Sequence, residues 1–223
     1  GTHITTPMVN NNEAKVTLNT SINNAPKSSQ NISLSTVIYD AANKEIVKQS
    51  DNNFIKDGNM FSQTFNVVQP HLWSIENPYL YKAVTTINEG TKTVDEYSTT
   101  FGIRYFNFGV DKGFSLNGKP LKIIGVCNHH DLGCLGTAVN TRALQRQLEI
   151  LKSMGINGIR TSHNPPAPEL FDRCDKMGFI VMDEAFDMWK KQKNAYDYHL
   201  YWDEWHKKDL QDQVMRDRNH PSV

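Results

Sequence analysis

Hydrophobic and polar positions alternate through the first half of the chain. Val16, Leu18, Thr20 and Ile22 share one face of an extended segment, and Ile32, Leu34, Thr36 and Ile38 share another. Phe61, Phe65 and Val67 repeat the pattern, as do Tyr81, Ala83, Thr85 and Ile87. A period of two predicts strands with one face in a core and one in water. Turn-forming residues separate them: Asn23-Asn24-Ala25-Pro26, Asp40-Ala41-Ala42-Asn43, Asp57-Gly58-Asn59 and Glu89-Gly90. With weaker strands near 45–49 and 93–101, roughly six or seven short antiparallel strands in about 100 residues predict an all-β immunoglobulin-like sandwich. The Cys…Trp…Cys pattern of antibody domains is missing, so only the architecture is implied.

The period changes in the second half. Leu121 to Val126 is a compact apolar strand. Asn140 or Thr141 caps a helix with an apolar stripe of Leu144, Leu148, Leu151 and Met154, which Gly155 ends. Asn157 to Arg160 predicts a short buried strand. Pro168 opens a second helix carrying Leu170, Phe171, Cys174 and Met177, and Gly178 closes it. Phe179 to Met182 is a third strand. A third helix follows from Trp202 to Arg218, with Leu210 and Val214 on one face. Strand and helix in alternation imply parallel strands with right-handed crossovers. Three such units are too few for a barrel of eight. A small open α/β sheet is the alternative, but the Gly-rich turn usual after its first strand is absent.

Composition excludes some partners. The chain has 223 residues, with 24 Lys plus Arg and 24 Asp plus Glu, a formal net charge of zero. That leaves no electrostatic footprint for nucleic acid or an anionic membrane. No apolar run approaches the roughly 20 residues that cross a bilayer. The chain opens on Gly1-Thr2-His3 without an initiator Met, so it is expected to come from a longer protein. Three cysteines, Cys127, Cys134 and Cys174, do not make a disulfide framework. The cluster Cys127, His129, His130, Cys134 matches none of the common zinc spacings, so the cysteines are expected to be buried thiols beside a polar loop.

Polar residues follow each strand of the second half. After the first come Asn128, His129, His130 and Asp131; at the second, Arg160, Thr161, Ser162, His163 and Asn164; after the third, Asp183, Glu184 and Asp187. C-terminal strand ends of a parallel β/α barrel converge on one face, where active sites form. Three polar clusters in that topological position predict a site. Arg160 is the foremost candidate, since a guanidinium there can hold a carboxylate bidentately and keep it ionised. Asp183 and Glu184 are adjacent, point to opposite faces and cannot act together as an acid/base pair. One of them is expected to bind a backbone group or an Arg.

Several of these segments resemble glycoside hydrolase family 2. The strongest are Asn157-Gly158-Ile159-Arg160-Thr161-Ser162-His163-Asn164-Pro165 and Cys174-Asp175-Lys176-Met177-Gly178-Phe179, although the family more often has Tyr at the position of Asn164. Phe101-Gly102-Ile103-Arg104, Leu116-Asn117-Gly118-Lys119-Pro120 and Gly125-Val126 resemble the family's passage from sandwich into barrel. Leu72-Trp73-Ser74-Ile75-Glu76-Asn77-Pro78-Tyr79-Leu80-Tyr81 resembles its sandwich motif, and Arg216-Asp217-Arg218-Asn219-His220-Pro221-Ser222-Val223 the introduction to its fourth barrel strand.

The resemblance implies an immunoglobulin-like sandwich over residues 1–105 and an incomplete α/β (TIM) barrel of about three βα units over 106–223. It implies a retaining glycosidase of the β-galactosidase type, acting on a carbohydrate substrate. Both catalytic glutamates, at the ends of strands four and seven, would lie beyond Val223, leaving no catalytic residue in this chain. Arg160 would orient the nucleophile, and His129 and His163 would contact sugar hydroxyls. Asn164, His130 and Asp131 would be weaker candidates, closer to loop structure than to ligands, with Asn164, Asp183 and Glu184 counted among the substrate-binding or supporting residues. The magnesium-binding Glu and His of the best-known β-galactosidases have no counterpart after Asp183-Glu184-Ala185, where Phe186-Asp187-Met188-Trp189-Lys190 stands, so no cofactor is expected. Related readings are a β-glucuronidase, β-mannosidase or exo-glucosaminidase of the same family, or a non-catalytic carbohydrate-binding scaffold. The family's part in glycan foraging implies a periplasmic or secreted protein. Three βα units with open edges are expected to self-associate.

Overall fold

The computed structural model describes residues 1–23, 32–51 and 60–223. The expected turns at Asn24-Ala25-Pro26 and Asp57-Gly58-Asn59 lie outside them. The chain forms two compact units. One comprises Gly1–Ser74, Tyr79–Asn107 and Leu116–Gly118; the other comprises Ile75–Pro78, Phe108–Ser115 and Lys119–Val223.

The first unit is a sandwich of two antiparallel sheets. One holds β1 (Thr2–Val9), β2 (Glu13–Ser21) and β5 (Met60–Val68) in the order β1-β2-β5. The other holds β3 (Ile32–Tyr39), β4 (Glu45–Asp51), β6 (Tyr81–Glu89) and β7 (Lys92–Phe101) in the order β4-β3-β6-β7. The alternation read from the sequence is the burial pattern. Val16, Leu18 and Thr20 are buried on β2, and Tyr81, Ala83, Thr85 and Ile87 on β6. Ile4, Leu18, Ile38, Phe65, Tyr81 and Phe101 belong to one apolar core that both sheets share. Several polar residues inside it are paired. Thr36 and Thr85 stand opposite each other in register, their hydroxyls 3.0 Å apart. Gln63, also buried, donates its amide to Asp51 at 2.8 Å.

Strand β1 was not apparent in the alternation. Its pairing with β2 shifts between Thr5 and Met8, around Pro7. A bulge of that kind inserts a residue and breaks the period of two.

Residues 106–120 form three short strands, β8 (Phe106–Gly109), β9 (Gly113–Leu116) and β10 (Lys119–Pro120), in the order β10-β9-β8. The second unit then builds a parallel sheet of β11 (Gly125–His129), β12 (Gly158–Ser162) and β13 (Ile180–Met182), in the order β11-β12-β13. Helix α1 (Thr141–Ser153) links the first two, α2 (Pro168–Met177) links the next two, and α3 (Trp202–Asp217) follows. This is the beginning of a β/α barrel. Asn140 caps α1 by accepting from the Ala143 N–H at 2.9 Å. The core is Leu144, Leu148, Ile159, Leu170, Phe171, Cys174, Phe179 and Val181.

Gly178 ends α2 for two separate reasons. Its φ is 72°, a left-handed conformation that strains any side chain. A Cβ there would also sit 2.3 Å from the Ile75 carbonyl oxygen. The Lys152 ammonium binds the same corner, donating to the carbonyls of Met177 at 2.6 Å, Gly178 at 3.0 Å and Ile75 at 3.0 Å. Desolvation lowers the Lys152 pKa there.

Four expectations need correction. The first parallel strand runs Gly125–His129 rather than 121–126, because pairing with Gly158–Ser162 fixes it; Ile123 and Ile124 stay exposed. Asn128 and His129 are therefore strand residues. Met154 leaves the buried stripe of α1 and is exposed. On α3, Leu210 and Val214 are exposed and the buried positions are Gln213 and Asp217, a polar face set by Asp183 of the loop after β13. Of the cysteines only Cys174 is buried; Cys127 and Cys134 are exposed.

Candidate functional site

Side chains alternate along β11, so Cys127 and His129 share a face while Asn128 turns away to donate to Gln147 of α1 at 3.2 Å. In register, Cys127 lies beside Arg160 and His129 beside Ser162. The loop after β13 adds Glu184, whose backbone N–H donates to the buried Thr161 hydroxyl at 2.9 Å. That bond turns the Glu184 carboxylate toward Arg160.

The centre of the cluster is an Arg–Glu–His network. Arg160 grips Glu184 with two nitrogens, Nε to Oε2 at 2.8 Å and Nη2 to Oε1 at 2.9 Å. His163 Nδ1 lies 3.1 Å from the same Oε1. Arg160 Nη1 reaches the Cys127 sulfur at 3.6 Å. The His129 ring meets His163 edge-on, with centroids 5.3 Å apart. Partial burial works to raise the Glu184 pKa, but hydrogen bonds and charge from Arg160 and His163 outweigh it and bring it below the usual value. The Glu184 bond in turn raises the pKa of Arg160. Glu184 is thus a carboxylate held in its ionised form by its partners, a hydrogen-bond acceptor through Oε1 and an ion-pair partner through Oε2.

The other candidates are placed differently. Asn164 lines the same cleft but donates locally to the Pro165 carbonyl at 3.2 Å. Asp131 closes its own turn on the Gly133 N–H at 2.6 Å. Asp183 faces away from Glu184, toward Gln213 and Asp217 of α3; burial, and then the nearby Asp217, push its pKa up to about 6. The cluster opens onto a cleft of about 940 Å³ lined by His129, His163 and Asn164 and by Phe186, Asp187, Lys193 and Tyr198. The aromatic pair Phe186 and Tyr198 was not among the candidates, and Cys127 was weighed only as a zinc ligand. Cys127 could have been found from its spacing of two from His129, once the strand is taken to continue through both.

Among the described residues, one group of side chains has ligand-like spacing for a metal: the ligand atoms of Asp172, Asp175 and His220 lie within 4.8 Å of one another. Asp175 is already engaged. Its Oδ1 accepts from the Ser222 N–H at 3.1 Å and hydroxyl at 2.6 Å, and its Oδ2 lies 2.6 Å from His220 Nδ1. Burial would lower the His220 pKa, but the Asp175 bond and charge raise it. The group fastens residues 220–222 to α2, and the Ser222 carbonyl accepts from the Val181 N–H of β13 at 2.7 Å.

The sequence profile of glycosyl hydrolases family 2 matches residues 1–104, and that of the family's TIM barrel domain matches residues 110–223. The chain belongs to glycosyl hydrolase family 2. It is 52% identical over 225 residues to the β-galactosidase BoGH2A of Bacteroides ovatus, a match covering 100% of this chain and 26% of the relative. It is 30% identical over 187 residues to a β-glucuronidase of Bacteroides fragilis, covering 82% of this chain and 27% of the relative. A crystal structure of a family 2 member from Bacteroides cellulosilyticus superposes with a TM-score of 0.94 at 41% identity, covering 100% of this chain and 29% of that one. The chain thus spans about a quarter of the length of the curated relatives it matches. Within the family's plan, the described residues are the sandwich and the start of the barrel.

Proposed function

We propose that this chain is part of a retaining β-glycosidase that removes terminal β-D-galactosides from oligo- or polysaccharides. The observation that carries the reading is the Arg160–Glu184–His163 network at the C-terminal ends of successive parallel strands, where barrel enzymes place their chemistry. Retention needs two carboxylates about 5 Å apart. Glu184 is engaged by Arg160 and His163 and is read as support, so both reacting carboxylates are assigned to the rest of the protein. Similarity to a β-galactosidase over the whole chain favours galactosides. A β-glucuronide would bring a carboxylate needing a cation. Lys193 in the cleft wall is paired with Asp187 at 2.9 Å, and Arg160 beside the cleft is paired with Glu184, which favours a neutral sugar.

The positions after Glu184 do not suit the magnesium site of related enzymes. Phe186 offers no donor atom and stacks on Tyr198, and Asp187 is paired with Lys193. The reading therefore includes no magnesium requirement at this position.

The test is a panel of chromogenic β-galactoside, β-glucuronide and β-mannoside substrates with the full-length protein, with and without a chelator. Galactoside turnover at least about tenfold above the others, unchanged by chelation, is expected. A preference for glucuronide or mannoside would overturn the galactoside assignment. For the 223-residue chain alone, the reading expects no turnover. It also expects concentration-dependent association through the β11–β13 sheet, where Ile123, Ile124 and Met182 are exposed; a monomer at every dilution in light scattering would count against it.

A further inference from the structure

Residues 183–201, between β13 and α3, hold no regular structure beyond a 3-10 turn at Tyr198–Leu200, yet the segment is tied down. Asp197 accepts the backbone N–H groups of Lys193 at 2.8 Å, Asn194 at 2.6 Å and His199 at 2.9 Å. The Tyr198 hydroxyl donates to Asp209 of α3 at 2.5 Å, and Lys190 pairs with Asp203 at 3.0 Å. Long loops bound internally in this way are commonly functional, and their shape is set before a ligand arrives.

What the loop presents is aromatic. Phe186 stacks on Tyr198 with centroids 4.8 Å apart and meets Trp202 edge-on at 5.3 Å. Trp189 lies nearly parallel to Trp202, at 5.7 Å and 11°. Phe186 and Tyr198 line the cleft that holds His129 and His163, and Trp189 continues the aromatic row with 66% of its surface exposed. Packing against Trp202 fixes the Trp189 indole and leaves the rest of its surface open, while Asp187 and Lys193 supply polar groups in the adjoining cleft wall.

We propose that Trp189 forms a sugar-stacking platform for the second unit of an oligosaccharide, with Phe186 in the adjoining cleft wall. The C–H faces of a pyranose are apolar and lie flat on aromatic rings, while its hydroxyls need polar partners at the rim. If the terminal sugar lies over the Arg160 network, the next unit is on the leaving-group side. The ligand class rests on the glycosidase reading, and the experiment separates the two.

Binding of a sulfur-linked β-galactobioside, which cannot be cleaved, is followed by intrinsic fluorescence in the full-length protein, with galactose as the single-unit reference. Trp189→Ala should weaken the bioside about tenfold more than galactose. The ratio of kcat/KM for galactobiose over that for β-galactosyl fluoride should fall by the same factor, and Trp189→Phe should recover most of both. Should Trp189→Ala fold poorly, Trp189→Leu reads the same ratios. Equal losses on one and two units, or no loss, would overturn the subsite. Trp189-dependent bioside binding without cleavage of any galactoside would leave the subsite standing and sink the glycosidase reading. Cleavage indifferent to Trp189 would do the reverse, and neither cleavage nor binding would remove both.

Discussion

Inside the sandwich, buried polar side chains meet mainly as uncharged pairs, Thr36 with Thr85 and Thr2 with Thr99. Inside the βα unit the corresponding positions hold carboxylates. Asp175 is 3% exposed and Asp217 1%, each facing a positively charged or protonatable partner, His220 and Arg216. A hydroxyl pair satisfies itself and can be exchanged for two methyl groups with little cost. A buried carboxylate cannot be treated that way; removing one partner strands a charge. The sandwich therefore keeps its shape mainly by side-chain fit, while the βα unit keeps its shape partly by charge, which couples shape to pH and to chemistry.

That contrast can be tested from its strongest consequence downward. In the full-length protein, Arg160→Ala should lower kcat by about 10²–10³ with little change in KM, as expected when an oriented charge acts in the transition state. Steady-state kinetics with a chromogenic galactoside would show it, and a normal kcat would make Arg160 peripheral. Asp175→Ala should destabilise the βα unit by about 3 kcal/mol, because His220 and the Ser222 N–H lose a buried acceptor. Denaturant titration measures this, and a change as small as that of a surface residue would contradict the clamp.

The hydroxyl pairs should respond more mildly. Thr36→Val should cost about 1 kcal/mol by leaving the Thr85 hydroxyl unpaired, and Thr36→Val with Thr85→Val should recover most of it. A double mutant worse than the single would show that the pair does more than satisfy itself.

A further effect is in the pH dependence. Asp183 has a folded-state pKa of about 6, above its ordinary value, so between the two the folded protein holds the extra proton. Its contribution to stability is then full below the ordinary carboxylate pKa and is lost as pH rises through about 6. Asp183→Asn should flatten the melting temperature against pH across that window, and Thr36→Val should shift the curve without changing its slope. An unchanged slope in Asp183→Asn would show that another group titrates there.

The same contrast governed what could be read from the sequence. Strands β2, β3 and β6 were legible because one face is buried in each, which writes a period of two into residues 16–20, 34–38 and 81–87. Strand β1 was not, because its bulge breaks the period. In the βα unit the helix ends were legible from Asn140 and Gly178, whose chemistry is local. The start of β11 was not, since an apolar run such as Leu121–Val126 has no phase and only pairing with β12 fixes the strand. Helix α3 misled for a related reason: its buried face is Gln213 and Asp217, recruited by Asp183 from elsewhere in the chain. Arg160, His163 and Glu184 were found by position after successive strands. That they bind one another through Oε1 of Glu184 depends on three-dimensional approach that no spacing encodes.

The corner at Gly178 bears on how tolerant this chain is to mutation. No side chain fits between that Cα and the Ile75 carbonyl oxygen, and the left-handed φ excludes relaxation by a simple backbone turn. In a saturation library scored by activity, every replacement at Gly178 should be lost, so the position would score like a catalytic residue although it touches no part of the cleft. Libraries aimed at altering substrate preference should leave Gly178 fixed and spend their diversity on the loop between β13 and α3.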